Sequence, residues 1–360
     1  MKRLLDSRSL RALARGCAVL GAGGGGDPYL ALLQALQATE DFGPVPLVDL
    51  DELPGDSLIM PCGGIGAPTV SIEKIENGDE GARLRDHLEF ATGRKVAALM
   101  AAEIGGGNGL LPVAWAAQMG LPLVDADGMG RAFPEVPQVT MHLAGIPASP
   151  AIMTDERGNV VVFQTISGHW MERLERAAAD EFGGAASSTE FTLTVAQARG
   201  ATVRDSVSMA IRIGEAVINA GTSPVDALIA AVDGHRLITG KIIDVERRTT
   251  SGFARGSVVI EGLGADSGRL VRLELQNENL VALEQGRVLA SVPDLISVLD
   301  SETAEAIMTE RIAYGQRVTV IAFGCDPVWR TELGIAVTGP RSFGYDFDYV
   351  PVEDLAHAED

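Results

Sequence analysis

Residues Leu20-Gly21-Ala22-Gly23-Gly24-Gly25-Gly26-Asp27-Pro28-Tyr29 place five glycines in six consecutive positions and end at an Asp-Pro pair that opens an apolar helical pattern. A backbone this bare reaches φ > 0 without strain and lets other groups approach closely. Pro28 suits the first position of a helix and Asp27 the N-cap before it. The run is therefore a loop that delivers the chain into a helix. Its N–H groups and the positive helix end are placed to hold an anion or a polar ring. Gly23, Gly24, Gly25, Gly26 and Asp27 are accordingly expected to bind substrate. A second loop, Glu103-Ile104-Gly105-Gly106-Gly107-Asn108, lies between a strand-like and a helical run and adds Gly106, Gly107 and Asn108 to that set. Two such loops imply one small-molecule site.

A chain of 360 residues is too long for one simple core and reads as two domains. A formal net charge of −20 argues against nucleic acid or an anionic membrane as partner, since either demands a basic surface. A small-molecule substrate fits better, and a homo-oligomer is expected. Cys17, Cys62 and Cys325 neither pair evenly nor show metal-ligand spacing, which suits free thiols in a reducing compartment. Arg3, Arg8, Arg11 and Arg15 interrupt every early apolar run long enough for a signal peptide or membrane span. A cytoplasmic protein is expected.

Helices are predicted over 7–20, capped by Ser7 or Ser9, and over 28–39, 80–92 and 109–119. Strands are predicted over 45–49, 57–62, 96–101 and 122–125, an α/β alternation that gathers loops at strand ends, where a site forms. A hairpin turn at Asp155-Glu156-Arg157-Gly158-Asn159 is followed by a helix over 168–182, two helices over 205–219 and 224–231, and then strand-rich sequence. The division expected is an α/β domain over 1–167, carrying the glycine loops, and a β-rich domain over 168–360. By the period-two rule, Lys241 and Asp244 fall on opposite faces of their strand.

Gly21 to Gly26 also satisfies G-x-G-x-x-G, and Asp49 ends a strand at the distance a dinucleotide fold requires. Against NAD, the segment before the glycines is helical, and Asp27 would set a negative charge beside a pyrophosphate. The alternative is a tight packing turn. The densest polar cluster is Asp125-Ala126-Asp127-Gly128-Met129-Gly130-Arg131-Ala132-Phe133-Pro134-Glu135. Its alternating carboxylates suit a heterocycle's N–H groups or a hard cation, and Arg131 suits a carboxylate. A turn with Arg131 paired to Glu135 is the competing reading. Asp125, Met129 and Arg131 are expected on the substrate.

These glycine loops and the Asp125 to Pro134 cluster, with Gly66-Ala67-Pro68-Thr69-Val70, Lys241 to Thr249 and the tail Gly339 to Pro351, resemble the S-methyl thiohydantoin desulfurase family over about residues 10 to 353. The resemblance implies an α/β N-terminal domain and a β-rich C-terminal domain of swivelling type. It also implies hydrolysis of an S-methylated thiohydantoin to the hydantoin with release of methanethiol, a step in breakdown of compounds such as S-methyl ergothioneine. Attack on the amidine-like ring carbon needs an activated nucleophile and a donor near the ring nitrogen. His87, His142, His169, His235 and His357 show no H-x-H or H-E-x-x-H spacing, so neither a histidine-rich metal centre nor any other cofactor is expected. Cys325, at a strand end beside Asp326 as base, is the candidate nucleophile. The competing reading is a small buried hydrophobe, and the adjacent carboxylate would raise its pKa. If the thiol does not act, water activated by Asp125, Asp127 or Glu103 is the other route. His142 is a candidate donor to substrate. Two further classes compete: a non-catalytic partner of a hydantoinase or oxoprolinase complex, and a dinucleotide-dependent oxidoreductase.

Overall fold

The computed structural model describes residues 3–66, 70, 73–250 and 253–356. Ala67, Pro68, Thr69 and His357 lie outside the described residues. The first helix, α1 (Ser7–Leu20), is capped by Asp6 rather than Ser7 or Ser9. The Asp6 carboxylate accepts from the backbone N–H groups of Arg8 and Ser9 at 3.1 and 2.9 Å, while Ser9 Oγ accepts from the Asp6 N–H at 2.8 Å. The serine thus completes a capping box instead of opening the helix. The glycine run then bends directly into α2 (Pro28–Phe42), whose cap is Asp27, as the Asp-Pro pair predicts. Because a helix precedes the glycines, the strand–turn–helix of a dinucleotide site is not formed.

The first sheet contains β1 (Arg3–Leu5), β2 (Val45–Val48), β3 (Leu58–Gly66), β4 (Val96–Ala101), β5 (Leu123–Asp127), β6 (Ala151–Thr154), β7 (Val160–Phe163) and β8 (Ala185–Thr189) in the order β1-β2-β5-β4-β3-β8-β6-β7. Neighbours among β2, β5, β4 and β3 are parallel, and their apolar sequences suit burial on both faces. β3 is shared: Leu58–Cys62 pair with β4, and Gly63–Gly66 pair antiparallel with β8. The carboxyl ends of β3, β4 and β5 deliver Gly63, Glu103 and Met129 to one edge, where an open α/β sheet binds ligands.

Short strands β9 (Leu193–Thr194) and β10 (Val203–Arg204) add to β3 and β5, and with β8 they come after residue 167 in the chain. Period and length left all three unread, because two-residue and Ser-rich strands carry no alternation. Residue 167 therefore divides the chain just ahead of a helix, while the first layer continues to about Val232 and the second sheet begins at His235. Helix Ser206–Ile218 packs on α1 so tightly that a Cβ at Gly16 would stand 1.8 Å from the Ala210 carbonyl oxygen, and one at Gly214 1.8 Å from that of Ala12.

The second sheet is antiparallel, built from β11 (His235–Thr250), β12 (Phe253–Gly262), β13 (Leu270–Gln276), β14 (Glu278–Glu284), β15 (Arg287–Ser291), β16 (Leu295–Asp300) and β17 (Arg317–Phe323) in the order β15-β14-β13-β12-β11-β17-β16. It curls until β14 and β15 meet β16, enclosing a core that includes Ile242, Val258 and Val320. A bulge between Ile242 and Asp244 corrects the period-two expectation. One extra residue shifts the parity, so Ile242 and Val245 both face the core and Lys241 and Asp244 share the outer face.

Gly16→Ala, which by helix propensity alone stabilises by roughly 1 kcal/mol, is expected instead to destabilise the protein by roughly 1–3 kcal/mol through overpacking. The denaturant midpoint checks this, with an unchanged slope.

Candidate active site

The two glycine loops bind each other. The Gly107 N–H donates to the Gly26 carbonyl at 2.9 Å and the Asn108 N–H to that of Gly25 at 3.4 Å. A Cβ at Gly25 would stand 2.1 Å from the Gly105 carbonyl oxygen, and one at Gly106 2.4 Å from the Gly25 carbonyl carbon. The second sheet closes on the same run. Asn279 donates to the Ala22 carbonyl from its backbone at 2.8 Å and its side chain at 2.9 Å, and the Thr309 N–H donates to Gly23 at 2.9 Å. Gly23 and Gly24 face this joint, where a Cβ on Gly24 would stand 2.1 Å from Glu278 Oε1. Their bareness serves contact between the two sheets, which corrects the expectation that Gly23, Gly24 and Gly106 meet a ligand.

Beside the joint lies a cavity of about 340 Å³. Gly25, Gly26, Asp27, Glu103, Gly107, Asn108 and Met129 line it, together with Gly63–Gly66, Phe133, Glu190 and Glu278. Gly26, at φ +79°, has open space where its side chain would be. Three buried carboxyls on this wall, Glu103, Glu190 and Glu278, each have an oxygen without a hydrogen-bond partner among the described residues. Glu103, 8% exposed, accepts from Asn108 Nδ2, and Asn108 Oδ1 in turn accepts from the Gly64 N–H at 2.7 Å. Glu278, 2% exposed, enters from the first residue of β14. Glu103 Oε2 and Glu278 Oε2 have no hydrogen-bond partner among the described residues. Burial pushes Glu103 up to about 8 and holds Glu278 well above the usual carboxylate range, with Glu103 adding to the latter.

The remaining candidates are structural. Asp127 is fully buried, and its Oδ2 accepts from the N–H groups of Ile104, Met129 and Gly130 at 2.8, 2.9 and 2.8 Å. It ties the second glycine loop to the turn after β5, and burial pushes it up to about 7. Asp125 accepts from the Ser208 N–H at 2.9 Å and from Arg3 at 3.1 Å, away from the cavity. Arg131 is fully buried, lies 4.4 Å above the Phe133 ring, and donates to the Asp294 carbonyl at 3.0 Å and to that of Pro293. It joins the two sheets rather than gripping a ligand. Trp329 does the same, donating to the Met129 carbonyl at 2.6 Å.

His142 packs edge-on against His169 and Phe191, and burial lowers its pKa. Asp326 accepts from the Val328 N–H at 2.9 Å and caps a turn. Cys325 lies outside the cavity lining, half-buried between the apolar clusters. Burial, then the Asp294 carboxylate, pushes its thiol up, away from the thiolate that a nucleophile needs. This geometry favours the packing reading of Cys325.

Glu278 was missed because it interrupts no recognised motif. Its signal is the polar tetrad Gln276-Asn277-Glu278-Asn279 between Leu275 and Leu280, all four side chains buried where the alternation calls for apolar residues. Asn277 carries the turn at φ +58°.

Family models describing the S-Me-THD-like N-terminal and C-terminal domains match residues 8–165 and 166–352. The chain belongs to the S-Me-THD-like family. A crystal structure of a Chromobacterium violaceum protein, solved as a structural genomics target, has the same fold. It is 24% identical to this chain, with a TM-score of 0.82 over 97% of this chain and 100% of that one. No curated protein matches. Among the described residues of this S-Me-THD-like protein, no helix is long and apolar enough to cross a membrane, and no three His, Cys, Asp or Glu side chains gather as metal ligands.

Gly24→Ala is expected to displace the Glu278 carboxyl and to destabilise the protein by roughly 1–3 kcal/mol through overpacking, read as a lower denaturant midpoint. Glu103 ionises at about 8 in the folded S-Me-THD-like protein, against an ordinary value of 4.5. The unfolded chain loses that proton first, so this residue's contribution to stability falls as pH rises between those values. Glu103→Gln, neutral throughout, is expected to melt roughly 2–4 °C above the native protein at pH 8. The gain should vanish near pH 4.5, and melting curves at both pH values check it.

Proposed function

We propose that the protein hydrolyses an S-methylated thiohydantoin ring to the hydantoin and methanethiol, with Glu103 and Glu278 as the working pair. The observation that carries this reading is the pair itself: two carboxyls from different sheets, each with an unpartnered oxygen, on the wall of one cavity. Family membership supports the ring chemistry, and the apolar wall formed by Ile65, Met129 and Phe133 suits a flat heterocycle with a methylthio group. A non-catalytic partner protein has no use for such groups.

Mutual repulsion lets one carboxyl ionise while the other stays protonated. Glu103, held by Asn108, ionises first and acts as base; Glu278 remains the acid. Water adds its oxygen to the ring carbon bearing sulfur as Glu103 takes the water proton. Glu278 protonates the adjacent ring nitrogen, so the C=N bond becomes C–NH. The tetrahedral centre then collapses: its hydroxyl returns a proton to Glu278 as the carbonyl forms. The C–S bond breaks, and methanethiolate leaves with the proton held on Glu103. Both carboxyls regain their starting states and no cofactor is consumed.

Methanethiol release from a 2-methylthio-imidazolone ring tests this directly. Glu103→Gln and Glu278→Gln are each expected to lower kcat by roughly 10²–10⁴, whereas Cys325→Ala retains most turnover. The kcat/KM of the native protein should rise with pH up to about 8, as Glu103 loses its proton. Full activity in both Gln variants, with loss in Cys325→Ala, would restore the thiol route.

A further inference from the structure

The proposed reaction gives work to Glu103 and Glu278 and none to Glu190 on the same wall. Glu190 directly follows β8 and is pinned on both sides. Thr189 Oγ1 donates to the Pro61 carbonyl at 2.6 Å, and the Phe191 N–H donates to that of Ala148 at 3.2 Å. Phe191 is 1% exposed and held at φ +51°, a left-handed conformation that strains an aromatic residue and that the packing around it must enforce. The turn therefore fixes where the Glu190 side chain leaves the backbone. Its carboxyl accepts from the Ser188 hydroxyl, yet Oε2 is buried with no hydrogen-bond partner among the described residues.

The groups around Glu190 oppose a negative charge on it. Helix Gly168–Glu181 acts on it through Glu172 and Glu175, and β3 sets the buried Cys62 thiol within its field. Glu172 pairs with Arg176 at 2.7 Å, and Arg176 also acts on Glu175. Glu135, in the turn after β5, meets Glu172 and Arg176 in turn, while His142 packs on the Phe191 ring. Glu175 is fully buried and neither of its oxygens has a hydrogen-bond partner among the described residues, so it stays a neutral acid. Burial pushes Glu190 itself up to about 7, with the Ser188 hydroxyl pulling it down and the Glu172 carboxylate adding to the rise.

A protonated carboxyl has an O–H to donate, whereas an ionised one only accepts. We propose that Glu190 orients the ring by donating the O–H of its neutral carboxyl to the ring carbonyl oxygen. The inference rests on the desulfurase reading for the identity of the ring. A 2-methylthio-imidazolone has a single carbonyl, separated from the carbon bearing sulfur by a ring nitrogen. The groups at work on that carbon and its nitrogen leave the carbonyl to a third. A buried acid kept neutral by its surroundings suits the task, because it donates without bringing charge into the cavity. Once ionised, it sets like partial charge against the carbonyl oxygen and the contact is lost. The donor form is present at low pH and disappears as pH rises through about 7.

Hydantoin and imidazolidin-2-one, the same ring without that carbonyl, test this by calorimetry at pH 6 and pH 8. The native protein is expected to bind hydantoin the more tightly, by roughly tenfold at pH 6 and about twofold at pH 8. An effect of Glu103 common to the two rings cancels in that ratio. Glu190→Gln, whose amide donates at either pH, should keep the roughly tenfold preference at both, and Glu190→Ala should show none at either. For the methylthio ring, Glu190→Ala should raise KM about tenfold with kcat little changed. Equal affinity for the two rings at pH 6, the same ratio at both pH values in the native protein, or a preference retained in a folded Glu190→Ala would overturn the proposal. The native titrations decide even if a variant does not fold. The preference without methanethiol release from the methylthio ring would support the role of Glu190 and overturn the desulfurase reading; methanethiol release with equal affinity would do the reverse.

Discussion

Gly24 has a carboxyl group where its side chain would be, and the arrangement of the cavity depends on that substitution of one residue's space by another's. Glu278 reaches the deep wall only because nothing projects from the loop in front of it. The same economy of space lets the second glycine loop press against Gly25 and so bring Glu103 alongside. Interiors packed at crystal-like density leave no slack for an added carbon at such contacts. The glycines are thus the condition for two carboxyls to share one dry space, and that space raises both above their ordinary ionisation range.

The joint between the sheets is made of polar groups carried into the interior with partners waiting. Arg131 meets backbone carbonyls, Asn279 bridges Ala22 and Ile296, and Trp329 reaches Met129. Truncating any of them takes a hydrogen bond from a buried carbonyl, and a carbonyl left without a partner costs more than the bond's own net contribution. This explains why the polar cluster after β5, which has the composition of a binding loop, is spent mostly on holding one sheet to the other.

The elements were legible wherever period, caps and length agreed. Helix 80–92, strand 96–101 and the start of α2 at Pro28 are read directly from the pattern, and the edge of the parallel strands does hold the cavity. Five of the eight glycine-loop residues expected on the substrate line that space. What escaped was set by distance along the chain. Glu278 and Glu103 are 175 positions apart, and nothing local at either marks the other. Cys325 looked available because a strand end and a lone thiol carry no record of the carboxylate, Asp294, that lies beside it in space. Polarity in a sequence reports a need for partners, and only the fold says whether the partner is a ligand or the protein.

Glu103 leaves the ribosome early and Glu278 late, on different sheets. A nascent chain that has completed its first layer at about Val232 has the glycine loops and one carboxyl, and lacks the other. The cavity therefore gains its second carboxyl only with docking of the second sheet, in the same event that buries Arg131 and seats Asn279. Half-made or mis-docked molecules lack one of the two carboxyls, so the cavity proposed to do the chemistry exists only in the assembled fold.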